Sequence, residues 1–242
     1  MDPRLATALI LFLGSFIQGL TGFGQALVAI PLLVMVIDIR EAVPLCMLNG
    51  LIITGFLSLQ LKEHVDRRKI TPLLIGCLPG IGVGIYLLTN IDAATFKLSM
   101  GIMLIAYSMY NLTCHPQPRK LSNIWAYLAG FGTGAISAAF SAGGPPAIIY
   151  TTLTGWSKDQ MKATLSVFFF LGGIAAAMAH LYAGLTTISL LKYLIWTIPA
   201  VISGVFLGSR LYRRFKTREY IKIVLCVLIL MGVMMIRSAF IA

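Results

Sequence analysis

Long apolar stretches fill this chain at residues 5–37, 42–61, 70–89, 94–113, 121–156, 160–184, 188–209 and 219–240, with short polar or charged connections between them. Six of them have about the 20 residues that carry an α-helix across a hydrocarbon core roughly 30 Å thick. The other two, 5–37 and 121–156, are too long for one crossing and too short for two. Each is interrupted by a glycine-rich polar knot. The first reads Gln18-Gly19-Leu20-Thr21-Gly22-Phe23-Gly24-Gln25 and the second Ser137-Ala138-Ala139-Phe140-Ser141-Ala142-Gly143-Gly144-Pro145-Pro146. Backbone that leaves its helix in lipid strands polar groups, so irregular backbone at membrane depth survives only where protein buries it or a wet cavity receives it. The pattern predicts two broken helices with a working site at the breaks.

Composition sets the solvent. The 242 residues are 58% hydrophobic and 11% charged, with a mean hydropathy of +0.90, whereas soluble domains carry about 25% charged residues. The chain reads as an all-α polytopic membrane protein, a single membrane domain over 1–242 with no room for a soluble domain. The net charge of +11 sits in the loops, where the positive-inside rule places it, and argues for a lipid bilayer rather than nucleic acid as partner. Met1-Asp2-Pro3-Arg4 lacks a cationic leader and no small-residue cleavage site follows, so the first apolar run is expected to be mature protein. Cys46, Cys77, Cys114 and Cys226 are scattered without CxxC or Cys/His spacing. They predict packing residues, with no metal site and no cofactor.

The two halves resemble each other. Gly14, Thr21, Gly24 and Val28 fall opposite Gly134, Ser141, Gly144 and Ile148 at an offset of 120. Arg40-Glu41 falls opposite Lys158-Asp159 at 118, Gly80-x-x-x-Gly84 opposite Gly204-x-x-x-Gly208 at 124, and Phe96 opposite Tyr220. The paired glycines predict close-packing helix faces. Charge then sets orientation. If every stretch crossed once, nine basic residues would lie on one side and ten on the other, which is no bias. If each broken stretch is a re-entrant hairpin, fourteen gather on one side (62–69, 119–120, Lys158, Lys162 and 210–222) and five on the other. Each half, about 5–113 and about 121–240, is then a hairpin plus three transmembrane helices. Three crossings invert the second half relative to the first. Inverted repeats with broken helices at their axis are a secondary-transporter architecture.

The knots carry helix-start chemistry. Gly144-Pro145-Pro146 puts proline in a first helical turn with Ser141 expected near the cap, and Thr21 to Gln25 opens a half-helix at Ala26. Two half-helix N-termini facing each other offer unpaired N–H groups and about half a positive charge apiece to an anion. Gly22, Gly24, Gly143 and Gly144 let a ligand approach the backbone. Gln18, Thr21, Gln25 and Ser141 add polar side chains, and with Pro145 they complete the expected substrate site. None of the 19 basic residues lies in either knot, which suits a weakly held oxyanion. All eight acids sit at or near span ends, so no carboxylate relay crosses the membrane. Glu41, Asp159, His180 and Asn49 are the candidates for coupling or gating, and a proton can also ride on the anion. The plainer reading of His180 and Asn49 is hydrogen-bonded packing.

From Gly14 to Pro31 and from Gly130 to Tyr150, above all at Ser141 to Pro146, the chain resembles the sulfite exporter TauE/SafE family of membrane permeases. Length, span count and two-half layout fit along the whole chain. The resemblance implies transport of sulfur-containing anions, such as sulfite, sulfoacetate and related organosulfonates, across the bacterial inner membrane. Two other readings stay open at this point. One is an anion channel built on the same hairpins. The other is an intramembrane serine hydrolase with Ser141 as nucleophile and His180 as base, although Thr21 opposite Ser141 fits a symmetric binding site better.

Overall fold

A computed structural model describes residues 3–60, 66–114, 119, 121–211 and 217–241. They form ten α-helices and, among the described residues, no strand. In order these are α1 (Pro3–Thr21), α2 (Gln25–Leu33), α3 (Ile39–Gln60), α4 (Arg67–Asn90), α5 (Ala93–Thr113), α6 (Asn123–Phe140), α7 (Gly144–Leu153), α8 (Lys158–Tyr182), α9 (Ile188–Leu211) and α10 (Thr217–Ile241). Every apolar stretch is helical, and the two long ones break at their knots into α1 and α2 and into α6 and α7. Among the described residues five helices are long and apolar enough to cross a membrane: α1, α3, α8, α9 and Arg68–Asn90 of α4. Large apolar side chains point outward on them, including Leu78, Tyr86 and Ile195, each more than half exposed. That surface suits lipid and not water.

Helix pairs close to backbone contact through glycine. Gly76, Gly80 and Gly84 of α4 face the carbonyls of Tyr127, Phe131 and Ala135 in α6, and any Cβ there would collide with them. Gly204 and Gly208 of α9 face the carbonyls of Phe12 and Phe16 in α1 in the same way. The glycine faces expected from the sequence are therefore the α4–α6 and α9–α1 contacts, each joining one half of the chain to the other. Gly101 of α5 and Gly232 of α10 make a third crossing, where a Cβ on Gly101 would stand 2.7 Å from Gly232 O. Lipid offers helices no hydrophobic drive to associate, and this close approach supplies dispersion contact instead.

Polar contacts sort the connections into two ends. At one end Asp66 N donates to Thr164 Oγ1 at 3.3 Å, Lys69 Nζ lies 4.8 Å from the Trp156 ring centroid, and Arg119 N donates to Leu153 O at 2.7 Å. At the other end the Arg40 guanidinium donates to Thr89 O at 3.3 Å. The 24 residues of α4 separate these ends by about 36 Å at 1.5 Å per residue. The approach to α6 and the end of α7 thus lie together. Both short helices fold back on their predecessors. A Cβ on Gly14 of α1 would reach Ala29 Cβ of α2 at 3.3 Å, and one on Gly132 of α6 would reach Pro146 of α7 at 3.3 Å.

Candidate functional site

The first knot turns on left-handed glycines. Gly22 (φ +88°) ends α1, with its N–H donating to Gln18 O at 2.7 Å, and Gly24 (φ +98°) caps α2. L side chains rarely adopt this conformation, so glycine is favoured. Gln18 Oε1 accepts the Gln25 N–H at 3.2 Å and so caps α2. The Thr21 hydroxyl serves the turn itself, donating to Ile17 O at 2.9 Å and accepting the Phe23 N–H at 3.2 Å.

The second knot repeats the turn with different residues. Ser141 (φ +56°) ends α6, its N–H donating to Ser137 O at 2.7 Å. Ser141 is therefore the C-cap of α6, and Gly143 takes the expected N-cap place before α7. Gly143 is glycine for space: a Cβ would collide with Thr133 O and Ser137 Oγ. Capping matches Gly22 with Ser141, Gly24 with Gly143 and Gln25 with Gly144, an offset of 119 rather than 120. Thr21 then corresponds to Phe140. The sequence alignment paired residue types, whereas the turn geometry pairs backbone roles.

Between the tips lies a cavity of about 80 Å³, where a single water needs roughly 10–15 Å³. Of the expected site residues, Gln18, Gly24, Gln25, Ser141, Gly143 and Gly144 line it. Thr133 of α6 joins them, unanticipated from the sequence because it lies outside both knots. Gln25 Nε2 and Thr133 Oγ1 have no hydrogen-bond partner in the protein, and each residue is 2% exposed. Buried polar atoms are nearly always partnered, and the two residues that carry these atoms both line the cavity. The tips are unequal donors. The first turn of α2 leaves the Ala26 and Leu27 N–H groups without intrahelical partners, and both residues line the cavity. In α7, Pro145 and Pro146 carry no N–H, leaving that of Gly144. Pro145 is buried in this turn and does not line the cavity.

The sulfite exporter TauE/SafE family model matches residues 7–235. The chain belongs to the sulfite exporter TauE/SafE family. It is accordingly a multi-pass membrane transporter of the bacterial inner membrane and not an enzyme. It is similar to a probable sulfite/organosulfonate exporter TauE of Cupriavidus necator, 22% identical over 249 residues that cover 98% of this chain and 95% of the relative. No solved structure matches the chain.

In this TauE/SafE chain two bases on α8 reach the hairpins. Lys162, 7% exposed, lays its stem across Gly22, and its Nζ donates to Gly19 O at 3.0 Å. Its sequence position read as a loop charge. His180, 1% exposed, donates from Nε2 to Ala138 O at 2.8 Å. A carbonyl only accepts, so Nε2 carries the hydrogen, and Nδ1 has no partner. Among the described residues no hydrogen bond joins Ser141 to His180, which the hydrolase reading requires. Asn49 donates to Leu45 O at 2.9 Å, and its Oδ1 lies 3.2 Å from the Thr197 hydroxyl of α9, the geometry of helix packing. Glu41 is exposed in the first turn of α3 and outside the cavity lining. Asp159 lies in the first turn of α8, with its side chain outside the described residues. Thr21 and Gly22 also fall outside this cavity.

Proposed function

We propose that the protein is a secondary transporter of small sulfur-containing anions such as sulfite or organosulfonates, and that the cavity between the hairpin tips holds the anion. The observation that carries this reading is that Gln25 and Thr133, each with a buried donor that has no partner in the protein (Nε2 and Oγ1), both line the cavity that the N-termini of α2 and α7 border. An oxyanion accepts both hydrogen bonds, the N–H groups of Ala26, Leu27 and Gly144, and the favourable helix-dipole field. A site without a fixed charge in its lining binds weakly enough to release. The family match and the similarity to a probable sulfite/organosulfonate exporter support the substrate class.

The chain is built as two inverted repeats, about 5–113 and about 121–240, each a re-entrant hairpin plus three transmembrane helices. The Arg119–Leu153 contact and the separation of Arg40 from Asp66 by the length of α4 support this topology. The end with fourteen basic residues faces the cytoplasm. Alternating access follows when one repeat moves against the other. Proteoliposomes loaded with sulfite test it. Efflux that saturates and responds to an imposed pH gradient supports a coupled carrier. Efflux that rises linearly with concentration supports a channel. Gln25→Met combined with Thr133→Val is expected to abolish saturable transport, and unchanged transport in that variant would refute the site.

A further inference from the structure

Phe23, Gly24 and Leu27 line the anion cavity on one side and a second cavity of about 190 Å³ on the other. Gly24 has no side chain, and Leu27 is held in the core at 2% exposure. The movable part of the wall is the half-buried Phe23 ring. That ring bears on the opposite hairpin, where a Cβ on Gly144 would stand 3.8 Å from it. Phe23 sits between two left-handed glycines, Gly22 and Gly24, with its N–H held by the Thr21 hydroxyl, so the motion open to the ring is rotation about its own side-chain torsions.

The second cavity is mainly apolar and is bounded by helix ends. Asn111 lies in the last turn of α5, Thr152 in the last turn of α7, and Met161 in the first turn of α8. These helix ends adjoin the connections that meet through Arg119–Leu153 and Asp66–Thr164, at the end rich in basic residues.

We infer that the second cavity is the cytoplasmic approach to the anion site and that Phe23 is the barrier the anion passes between them. This rests on the site and topology proposed above. Basic residues at that end raise the local anion concentration, and the apolar lining accepts the organic part of an organosulfonate. The facing hairpin offers glycine at 143 and 144, so the barrier is one aromatic ring thick. The side chain at position 23 then sets how readily an anion crosses and how large a group it carries.

Cysteine labelling in the full-length protein, with its four native cysteines replaced, tests this. The probe is the membrane-impermeant anion (2-sulfonatoethyl) methanethiosulfonate, applied to the cytoplasmic face of inverted vesicles. Thr152→Cys in the second cavity is expected to react quickly whatever residue stands at 23. Ser137→Cys in the anion cavity is expected to react slowly with Phe23 and at least tenfold faster with Phe23→Ala. Phe23→Leu should fall between, and Phe23→Trp should be slowest. If Phe23→Ala does not fold, the order of Leu and Trp decides. Ser137→Cys rates independent of residue 23, or a Thr152→Cys that does not react from this side, overturn the inference. Protection of Ser137→Cys by sulfoacetate reads the anion site separately. Rates that follow residue 23 but ignore sulfoacetate sink the site and keep the barrier, whereas the reverse keeps the site and sinks the barrier.

Discussion

Gly19 and Ala138 hold the same place in the two hairpins, and each gives its carbonyl to a basic side chain of α8. Lys162 Nζ reaches Gly19 O at 3.0 Å and His180 Nε2 reaches Ala138 O at 2.8 Å. Both carbonyls belong to last helical turns, which lack intrahelical donors and form negative poles. Left bare, those poles would oppose an anion at the tips. One helix thus props both broken elements of the proposed transport site.

Lys162 is expected to matter without touching the anion. Lys162→Met leaves Gly19 O buried without this donor and removes a positive charge beside the first tip. A buried unsatisfied carbonyl costs about 1–3 kcal/mol. Sulfite flux in proteoliposomes should fall about tenfold or more, and Lys162→Arg should retain most of it. Wild-type flux in Lys162→Met would show that the contact is incidental.

Gln25 should separate binding from stability. Its Nε2 has no partner in the protein, so Gln25→Met removes no internal hydrogen bond from that atom and fills similar volume. Thermal unfolding in detergent should stay unchanged or rise slightly. The half-saturating anion concentration should rise about tenfold, since a hydrogen bond to a charged ligand is worth about 1.5–3 kcal/mol. Equal losses in both measurements would assign Gln25 to packing.

Glycines on the helix faces should divide by what they meet. A Cβ on Gly80 collides with Phe131 O and one on Gly204 with Phe12 O and Ser15 Oγ, while one on Gly82 meets nothing within 4 Å. Gly80→Ala and Gly204→Ala should each destabilise by about 1–3 kcal/mol. Gly82→Ala should be neutral or stabilising by up to about 1 kcal/mol. Detergent melting curves of the three variants make the comparison.

Ser141 carries left-handed backbone that glycine takes without a Cβ penalty. Ser141→Gly is expected to stabilise the protein by about 1 kcal/mol and to keep transport, as Gly22 does at the equivalent place. Loss of transport with an intact fold would give the hydroxyl a direct role.

Asp92 caps α5 outside the spans. The Thr95 hydroxyl, then the backbone N–H groups of Thr95 and Ala94, hold its carboxyl below the ordinary carboxylate range. A depressed carboxyl stabilises above its ordinary value and loses that contribution as pH falls through the lowered one. Asp92→Asn should therefore flatten the acid side of the melting temperature profile, measured between pH 7 and strongly acidic buffer.

Much of the helical order was legible beforehand. Apolar runs of about span length leave a chain in lipid little choice but helix, since only helices pair all their backbone groups locally. The two breaks were legible because Gly22, Gly24 and the Gly143 to Pro146 run cannot continue a helix smoothly. The roles within the breaks were less so. Ser141 looked like an N-cap, and it is a C-cap, because residue type does not reveal which side of a turn a hydroxyl serves. Thr133 and Lys162 were invisible as site residues, since α6 and α8 carry them to the tips through packing that no local pattern encodes.

The solvent, the helices, the positions of the two knots and the family resemblance can all be read along the chain. These follow from residue chemistry acting over neighbouring positions. Packing in three dimensions is what brings the α8 bases to both hairpin carbonyls, Gln25 and Thr133 to one cavity, and Phe23 between that cavity and a second. Those are contacts between residues as much as 143 positions apart, fixed by how glycine-faced helices close on one another.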